Sequence, residues 1–408
     1  MGLVDARPYV LGFLAIVAGL AVALGVARVA VLLRFPLPSS GATRRYGYID
    51  GLRGYLALAV MVAHCSGYLR IRLHGEEWHT AQPPAVIGNL GIAGVSLFFM
   101  VTGFLFYKKI DKGIKGSAWV ELFVKRLFRL YPAALLSIST VVAIVLLRSG
   151  LPKSLNASDL LNIVKWISFK SEPDLFGYPN SFMINGAVTW SLWYELIFYF
   201  FIIPVISAIH QLSKPWLSLG KLVAIIWAAT SILDIAGIKF LYLPLFTMGM
   251  LIFEIVNRGF ASRLLRSPEA AALACVSVVA GLVITDQLVI QSVLFAPILA
   301  CAASGNSFSG AISARPSIVL GECSYSIYLF HMIVLNIIFI DLQSFVSTDS
   351  YPSILMACVG AVAFVCTLAV VVFLYAERPA MAFGATIADK LAGRATKKRL
   401  DLADSVAP

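Results

Sequence analysis

Two ionisable residues, Arg53 and His64, lie eleven positions apart in one apolar stretch, YIDGLRGYLALAVMVAHCSGYL. On an α-helix this spacing gives about 16 Å of axial rise, roughly half of a membrane's hydrocarbon core. The arginine would lie at a membrane surface, and the histidine, which titrates near neutral pH, would lie near mid-membrane. Because ionisable groups are costly inside a bilayer, this pair predicts a functional site.

Two further ionisable residues fall within apolar runs. His331 lies about twelve residues into its run, and Glu195 lies about one turn from the end of another, in TWSLWYELIFYFF. If these two converge with His64, they form a polar cavity that contains acid/base groups. Each also has a structural interpretation, namely a hydrogen bond to a neighbouring helix or, for Glu195, an interfacial position.

The composition predicts an all-α polytopic membrane protein. Hydrophobic residues make up 60% of the chain and charged residues 13%, and the mean hydropathy is +0.87. Lipid satisfies no backbone hydrogen bonds, and the long runs lack the alternation of barrel strands. We predict about eleven transmembrane helices, one N-terminal helix and a core of ten, at Tyr9–Leu33, Leu52–Leu69, Asn89–Phe106, Leu127–Leu147, Trp190–Ile209, Leu219–Ala236, Phe240–Asn257, Ala270–Thr285, Leu288–Ala303, Val319–Ile340 and Ile354–Tyr375.

Basic residues orient this bundle, because Lys and Arg accumulate in cytoplasmic loops. They cluster in alternate loops, at Arg34, Arg44 and Arg45, Lys108 to Arg129, Lys214 and Lys221, Arg258 to Arg266, Arg315, and Arg378 to Arg399. The opposite loops carry fewer, among them Arg70, Arg72, Lys153, Lys165, Lys170 and Lys239. This pattern predicts an outside N-terminus and a cytoplasmic C-terminus. The net charge of +11 then reflects topology and attraction to anionic membrane lipids rather than nucleic-acid binding.

The remaining features are less specific. Six cysteines without CxxC spacing predict packing residues, with no metal site and no disulfide scaffold. The long connection from Arg148 to Thr189 is predicted outside, where it would cover or shape an outer opening. Gly91, Gly94 and Gly103 allow either close helix packing or a gap for a narrow substrate arm, and packing is the simpler interpretation.

A series of motifs runs along the chain in order. RGYLALAVMVAH is followed by GVSLFFMVTGFL, KRLFRLYPA, TWSLWYEL and SYSIYLFH. This series resembles the acyltransferase 3 family of integral membrane acyltransferases, from about Tyr48 to Pro379, and RGYLALAVMVAH is its most specific member. The resemblance predicts an N-terminal helix and linker at 1–47, a ten-helix acyltransferase domain at 48–379 without an appended hydrolase domain, and a basic cytoplasmic tail at 380–408.

The resemblance implies a membrane O-acyltransferase of the bacterial inner membrane. Such an enzyme transfers an acyl group, often acetyl, from cytoplasmic acyl-CoA, a co-substrate rather than a bound cofactor. The acceptor would be a hydroxyl of an extracytoplasmic or lipid-linked glycan, although other members acylate antibiotic-like small molecules. The family's Arg and His correspond to Arg53 and His64, and its basic segment corresponds to Lys125, Arg126 and Arg129.

Acyl transfer needs a base at the acceptor oxygen and stabilisation of charge on the thioester carbonyl. His64 is the candidate base, and Glu195 or another acceptor would fix its tautomer. Either direct transfer or an acyl-histidine intermediate is compatible with these residues. The arginines suit the phosphates of CoA, because guanidinium groups bind oxyanions through paired hydrogen bonds.

Two rival functions follow from the same residues. In a transporter or flippase, His64, Glu195 and His331 would form a proton relay, with Arg53 gating the inner side. A non-catalytic membrane scaffold would leave these buried groups unexplained. Dependence on an acyl donor distinguishes the transferase from both.

Overall fold

A computed structural model of the protein describes residues 7–37, 47–74, 85–152, 154–238, 240, 242–259, 262–284, 287–347 and 350–392. Over these residues the chain is helical, and an isolated bridge between Leu175 and Tyr178 is its one strand-like pairing. The α-helices are α1 (Arg7–Leu32), α2 (Gly47–His74), α3 (Ala85–Lys112), α4 (Ser117–Ser149), α5 (Ala157–Ile167), α6 (Trp190–Ile197), α7 (Ile203–Ser213), α8 (Leu219–Ile235), α9 (Leu243–Asn257), α10 (Ser262–Leu265), α11 (Pro268–Ile284), α12 (Leu288–Ser304), α13 (Arg315–Glu322), α14 (Ser324–Asn336), α15 (Tyr351–Val372) and α16 (Arg378–Leu391).

Three π-helical turns join or extend these helices, which keeps the chain helical across the junctions. They are Phe198–Ile202 between α6 and α7, Ile337–Asp341 after α14, and Phe373–Glu377 between α15 and α16. Short 3-10 turns lie at Ser181–Ile184 and Gln343–Phe345.

The all-α prediction is confirmed, and helices occupy all eleven predicted runs. Within the described ranges, seven helical stretches are long and apolar enough to cross a membrane: Leu14–Leu32, Gly47–Ile71, Val86–Lys112, Ser117–Ser149, Trp190–Ser213, Ser324–Asp341 and Pro352–Leu391. The four predicted runs between residues 219 and 303 form helices of 15 to 17 residues. At 1.5 Å per residue these are about 22 to 26 Å long, shorter than a typical hydrocarbon core. The total number of spans and their orientation stay predictions.

Two segments are more helical than predicted. The last apolar run continues through its π turn into α16, giving one stretch of 40 residues that enters the predicted tail. The connection after α4 contains α5, whose start is stabilised by a capping box between Asn156 and Asp159. A search for long apolar runs misses α5 because it is short and amphipathic. Arg44, Arg45, Lys153, Lys239 and the tail beyond residue 392 lie outside the described residues.

The chain divides into two compact units that alternate along the sequence. Unit 1 comprises Met1–Leu105, Phe182–Val188 and Val223–Val370, within the described ranges. Unit 2 comprises Phe106–Ser181, Thr189–Leu222 and Val371–Pro408, with the same restriction. The two histidines and Arg53 therefore belong to unit 1, whereas Glu195 and the basic segment of α4 belong to unit 2.

Glycines bring the helices of unit 1 into direct backbone contact. A Cβ at Gly103 in α3 would overlap the carbonyl oxygen of Phe246 in α9, and one at Gly94 would lie 2.9 Å from the carbonyl oxygen of Leu56 in α2. A Cβ at Gly91 would lie 2.8 Å from the Ala63 Cβ. These contacts support the packing interpretation of the three glycines, since each position has room only for hydrogen.

Aromatic rings fill the spaces between the helices of unit 2, as the rings of Phe99 and Phe246 do in unit 1 with centroids 4.7 Å apart. Phe123 of α4 stacks on Phe200 with ring centroids 4.7 Å apart. Phe128 meets Phe383 of α16 edge to face at 5.7 Å. Offset and edge-to-face rings of this kind stabilise packing beyond the area that they bury.

The six cysteines are free thiols. The Sγ atoms of Cys65 in α2 and Cys358 in α15 are 3.3 Å apart, so these residues pack against each other within unit 1. This arrangement is consistent with the predicted packing role.

Candidate active site

His64 and His331 form a hydrogen-bonded pair inside unit 1. The Nδ1 atom of His64 lies 2.9 Å from Nε2 of His331, and the ring centroids are 5.0 Å apart. His331 is fully buried, whereas His64 is partly exposed. Of the two, His64 is therefore the more accessible, and His331 is the more deeply buried.

Backbone carbonyls determine which ring nitrogen of His331 carries a hydrogen. Its Nδ1 atom lies 2.7 Å from the carbonyl oxygen of Tyr328 and 3.2 Å from that of Ile327. A carbonyl only accepts, so Nδ1 of His331 must donate. In neutral His331, Nε2 then carries the lone pair and accepts the hydrogen bond from His64.

The same reasoning assigns the tautomer of His64. Because Nε2 of His331 accepts, Nδ1 of neutral His64 donates, and the lone pair of His64 lies on Nε2. The backbone of Val60, one turn earlier in α2, also accepts a hydrogen bond from His64. His331 makes the equivalent contact through its Nδ1 atom, with the carbonyl oxygen of Ile327, which also lies four residues earlier. The network thus directs the basic nitrogen of His64 away from His331.

This arrangement would allow His64 to act as a base and His331 to act as its orienting partner. When Nε2 of His64 takes a proton, Nδ1–H can pass positive charge to His331, whose own Nδ1–H remains held by carbonyl oxygens. In serine hydrolases a carboxylate fills the orienting position. Glu195 or another acceptor was predicted to orient His64. In the structure the acceptor that hydrogen-bonds to His64 is His331. Glu195 lies on α6 in unit 2, partly buried, and its role stays a prediction.

Arg53 lies on the same face of α2 as His64. Eleven residues of continuous helix rotate the side-chain direction by about 20° beyond three full turns. Its Nη1 atom lies 3.5 Å from Oδ1 of Asp50, and both side chains are partly exposed, at 19% and 26%. A pair this long and this exposed is weak, so the guanidinium is available for a stronger anionic partner.

A group of cations, Lys109, Lys125 and Arg126, lies at one end of unit 2. The guanidinium carbon of Arg126 is 5.3 Å from the ring centroid of Phe106 and 5.7 Å from that of Tyr199. The Nζ atom of Lys109 is 5.2 Å from the centroid of Phe106 as well. Lys125 donates to Glu121 at 2.8 Å. We call these three residues the cation group.

Two cations that share one aromatic ring repel each other, so their charges favour an anion. Lys125 and Arg126 were predicted, but Lys109 was missed: it lies one turn after Phe106 in α3, and only folding brings Arg126 of α4 to the same ring. Arg129 points elsewhere: its Nη1 atom donates to Sδ of Met381 in α16 at 3.1 Å. Its predicted contact with a donor stays a prediction.

A second polar cluster lies one turn beyond the histidine pair. Tyr68, four residues after His64, donates to the carbonyl oxygen of Met183 at 3.2 Å. Asn336 donates to the Tyr68 hydroxyl at 2.9 Å. Tyr328 donates to the carbonyl oxygen of Val188 at 2.9 Å. The segment Phe182–Val188 is thereby attached to both helices that carry the histidines, a contact that sequence patterns did not indicate.

Comparisons with known proteins identify the family of the chain. The acyltransferase 3 family model, described as an acyltransferase domain, matches residues 46–376, a range that contains both histidines, Arg53 and the cation group. Nodulation protein 10 of Rhizobium leguminosarum bv. viciae is 26% identical over 322 residues, which cover 70% of this chain and 82% of that protein. No solved structure matches the chain significantly.

Proposed function

The chain belongs to the acyltransferase 3 family of O-acyltransferases, and we propose that it moves an acyl group, in the simplest case acetyl, from cytoplasmic acyl-CoA to a hydroxyl of an extracytoplasmic or lipid-linked glycan. The observation that carries the proposal is the histidine pair, in which a buried partner orients a more accessible histidine. We further propose that the protein resides in the bacterial inner membrane, where its apolar helices meet both compartments.

His64 acts as the base. Its Nε2 atom removes the proton of the acceptor hydroxyl as the oxygen attacks the thioester carbon, and a C–O bond forms. The positive charge that develops on His64 is shared with His331 through their hydrogen bond. When the tetrahedral intermediate collapses, the C–S bond breaks, and the departing thiolate takes the proton from His64. The products are an ester and free CoA.

Two sets of cations, each within its own unit, are candidates for binding the phosphates of the donor. Arg53 in unit 1 and the cation group in unit 2 both hold side chains whose present partners are aromatic rings or a single carboxylate. Phosphate is doubly suited to such side chains, because it carries charge and several acceptor oxygens. On the predicted orientation, Arg53 lies at the cytoplasmic end of α2, and His64 lies about 16 Å deeper. A pantetheine arm could therefore reach the histidine while the nucleotide stays at the surface.

The class of acceptor is proposed from the family and from the similar Rhizobium protein. The family resemblance favours a glycan hydroxyl, and the similar Rhizobium protein is named for nodulation. An antibiotic-like small molecule is the less favoured acceptor. In either case the reactive group is a hydroxyl, which is the group that a neutral histidine can deprotonate as it attacks.

The test measures transfer from a labelled donor. Membranes that contain the protein and its native envelope acceptors are incubated with [14C]acetyl-CoA, and ester-linked acetyl groups on glycans are identified by mass spectrometry. We expect transfer by the wild type and its abolition in His64→Ala. A label that stays on the protein when acceptor is withheld would indicate an acyl-histidine intermediate instead of direct transfer.

His210 provides a matched control for this substitution. It is a buried histidine in α7, and neither of its ring nitrogens hydrogen-bonds within the described part of the chain. His210→Leu should keep wild-type transfer. If His64→Ala folds, reaches the membrane and transfers acetyl like the control, the catalytic assignment is wrong; if the wild type transfers no acyl group from any acyl-CoA, the proposed function is wrong.

A further inference from the structure

Asn185 has a buried amide donor without an acceptor among the residues that the structure describes. The residue is fully buried in the segment Phe182–Val188 of unit 1. Its Oδ1 atom accepts the backbone N–H of Ala187 at 3.0 Å, which fixes the orientation of the amide, since a backbone N–H can only donate. Its Nδ2 atom has no hydrogen-bond partner among the described residues. An orphan donor of this kind costs free energy and is available to a ligand.

Asn306 shows what the same side chain does when its role is structural. It is buried, and its Oδ1 atom accepts the N–H of Phe308, two residues later, at 2.9 Å. Its Nδ2 atom, however, donates to the carbonyl oxygens of Ser267 at 2.9 Å and Leu265 at 3.1 Å. Both asparagines thus make the same local turn, but only Asn306 uses its amide hydrogens to join protein segments.

The neighbours of Asn185 attach it to the turns that carry the histidines. Met183, two residues earlier, accepts from Tyr68, which lies one turn from His64. Val188, three residues later, accepts from Tyr328, which lies one turn from His331. The amide therefore lies in a short segment held at both ends beside the histidine pair.

The backbone after Asn185 is also held in an uncommon conformation. Gly186 and Ala187 have φ values of 65° and 54°, in the left-handed region that alanine rarely adopts. A Cβ at Gly186 would overlap the side chain of Met332, the residue after His331. Such conformations persist where the surrounding structure imposes them, and they are common at active sites.

We propose that Nδ2 of Asn185 donates a hydrogen bond to the carbonyl oxygen of the acyl donor in the transition state. The inference rests on the proposed function. As the acceptor hydroxyl oxygen bonds to the thioester carbon and its proton goes to His64, the carbonyl electron pair moves onto oxygen. That oxyanion accepts from Asn185 until the pair returns, the C–S bond breaks and the thiolate takes the proton. A fixed donor in a water-poor site stabilises the charge without reorganisation.

The assignment to the carbonyl oxygen follows from what each substrate oxygen needs. The acceptor hydroxyl donates its hydrogen to His64, and the phosphates belong to the cations. The carbonyl oxygen gains a full negative charge and needs a donor, and an amide N–H with no protein acceptor meets this need.

The test compares Asn185→Leu, which is nearly isosteric, with Asn306→Leu. Rates are measured with [14C]acetyl-CoA in membranes that contain native acceptors, per unit of folded protein. For Asn185→Leu we expect kcat to fall about 100-fold, as for other oxyanion donors, with the KM for acetyl-CoA unchanged within about twofold. Asn306→Leu should lower thermal stability in detergent but keep kcat. If Asn185→Leu does not accumulate, Asn185→Asp, which keeps the acceptor for Ala187, takes its place and should show the same loss at pH 8.

The outcomes separate this inference from the proposed function. If wild-type membranes transfer acetyl, His64→Ala abolishes transfer, and the Asn185 variants stay within about threefold of wild type, only the Asn185 assignment is overturned. A rise in KM with unchanged kcat also overturns it, because that result describes uniform substrate binding. If wild-type membranes transfer nothing from acetyl-CoA or longer acyl-CoA donors, the proposed function fails first.

Discussion

The histidine pair of unit 1 and the cation group of unit 2 hold their ionisable side chains in opposite ways. The histidines are linked by a 2.9 Å hydrogen bond and fixed to backbone carbonyls of α14. In the cation group, Lys109 and Arg126 lie 5.2 to 5.7 Å from aromatic centroids, and Lys125 is bonded to one carboxylate, Glu121. The first arrangement fixes a proton position, whereas the second leaves charge available.

The difference follows from how much movement proton transfer and phosphate binding each tolerate. Proton transfer requires a defined tautomer, and a hydrogen bond in a low-dielectric interior provides it. Binding of a flexible polyphosphate tolerates larger movements, and cation–π contacts hold a guanidinium without consuming its N–H donors. Substitutions at the histidine pair should therefore act on kcat, those at the close helix contacts of unit 1 on folding, and those in the cation group on KM.

The largest expected effect is at His331. His331→Ala removes the acceptor for Nδ1–H of His64 and the site that shares its charge, so we expect kcat to fall about 1,000-fold with little change in KM. His331→Gln, whose Oε1 atom can accept from His64, should recover part of the rate. Initial rates of [14C]acetyl transfer measure both. A His331→Ala enzyme within about threefold of wild type would mean that His64 works without an orienting partner.

A substitution of Gly103 tests the close contact between α3 and α9 in unit 1. An alanine Cβ would overlap the Phe246 carbonyl oxygen, so α3 and α9 must separate, at an expected cost of about 1 to 3 kcal/mol in the free energy of unfolding. Gly360 in α15 has nothing within 4 Å of the same position, and Gly360→Ala should be neutral or stabilising. Thermal unfolding in detergent compares the pair. Equal melting temperatures would contradict the backbone contact.

Substitutions of Arg126 test whether its guanidinium exchanges its aromatic contacts for a phosphate of the donor. Arg126→Leu should raise the KM for acetyl-CoA about tenfold, the loss expected for one charge-assisted hydrogen bond, and leave kcat nearly unchanged. Arg126→Lys, which keeps the charge but not the planar fork, should lie between. Arg258, which pairs with Glu254 and is 66% exposed, supplies the control Arg258→Leu. A fall in kcat with constant KM would place Arg126 in the chemical step instead.

The smallest expected effect is at Tyr68. Tyr68→Phe removes the hydroxyl that joins Met183 to Asn336, and we expect a loss of about 1 kcal/mol of stability. Tyr375 is 80% exposed, and Tyr375→Phe should change nothing measurable. The melting temperatures of the two variants in detergent show whether Tyr68→Phe is the less stable. A Tyr68→Phe protein as stable as the control would show that the polar cluster does not hold the segment Phe182–Val188.

Most of the helices could be predicted because apolar runs of spanning length are a local signal. Arg53 and His64 were recognised from a local signal too, since both are ionisable residues within one apolar run. The short helix α5 and the helical continuation into α16 were missed, because they are amphipathic and lack long apolar runs. Lys109 was missed because its only sequence signal is one positive charge in a basic loop.

The sequence by itself determined the membrane class, the helices, the Arg53 and His64 spacing and the family, because each depends on residues close in the chain or on ordered motifs. Only the tertiary structure decided that His331, 267 residues from His64, is its hydrogen-bond partner. It also decided that the segment with Asn185 lies against both histidine-bearing helices. Hydrogen bonds act over about 3 Å, and no pattern within a helix records which distant group folding brings that close.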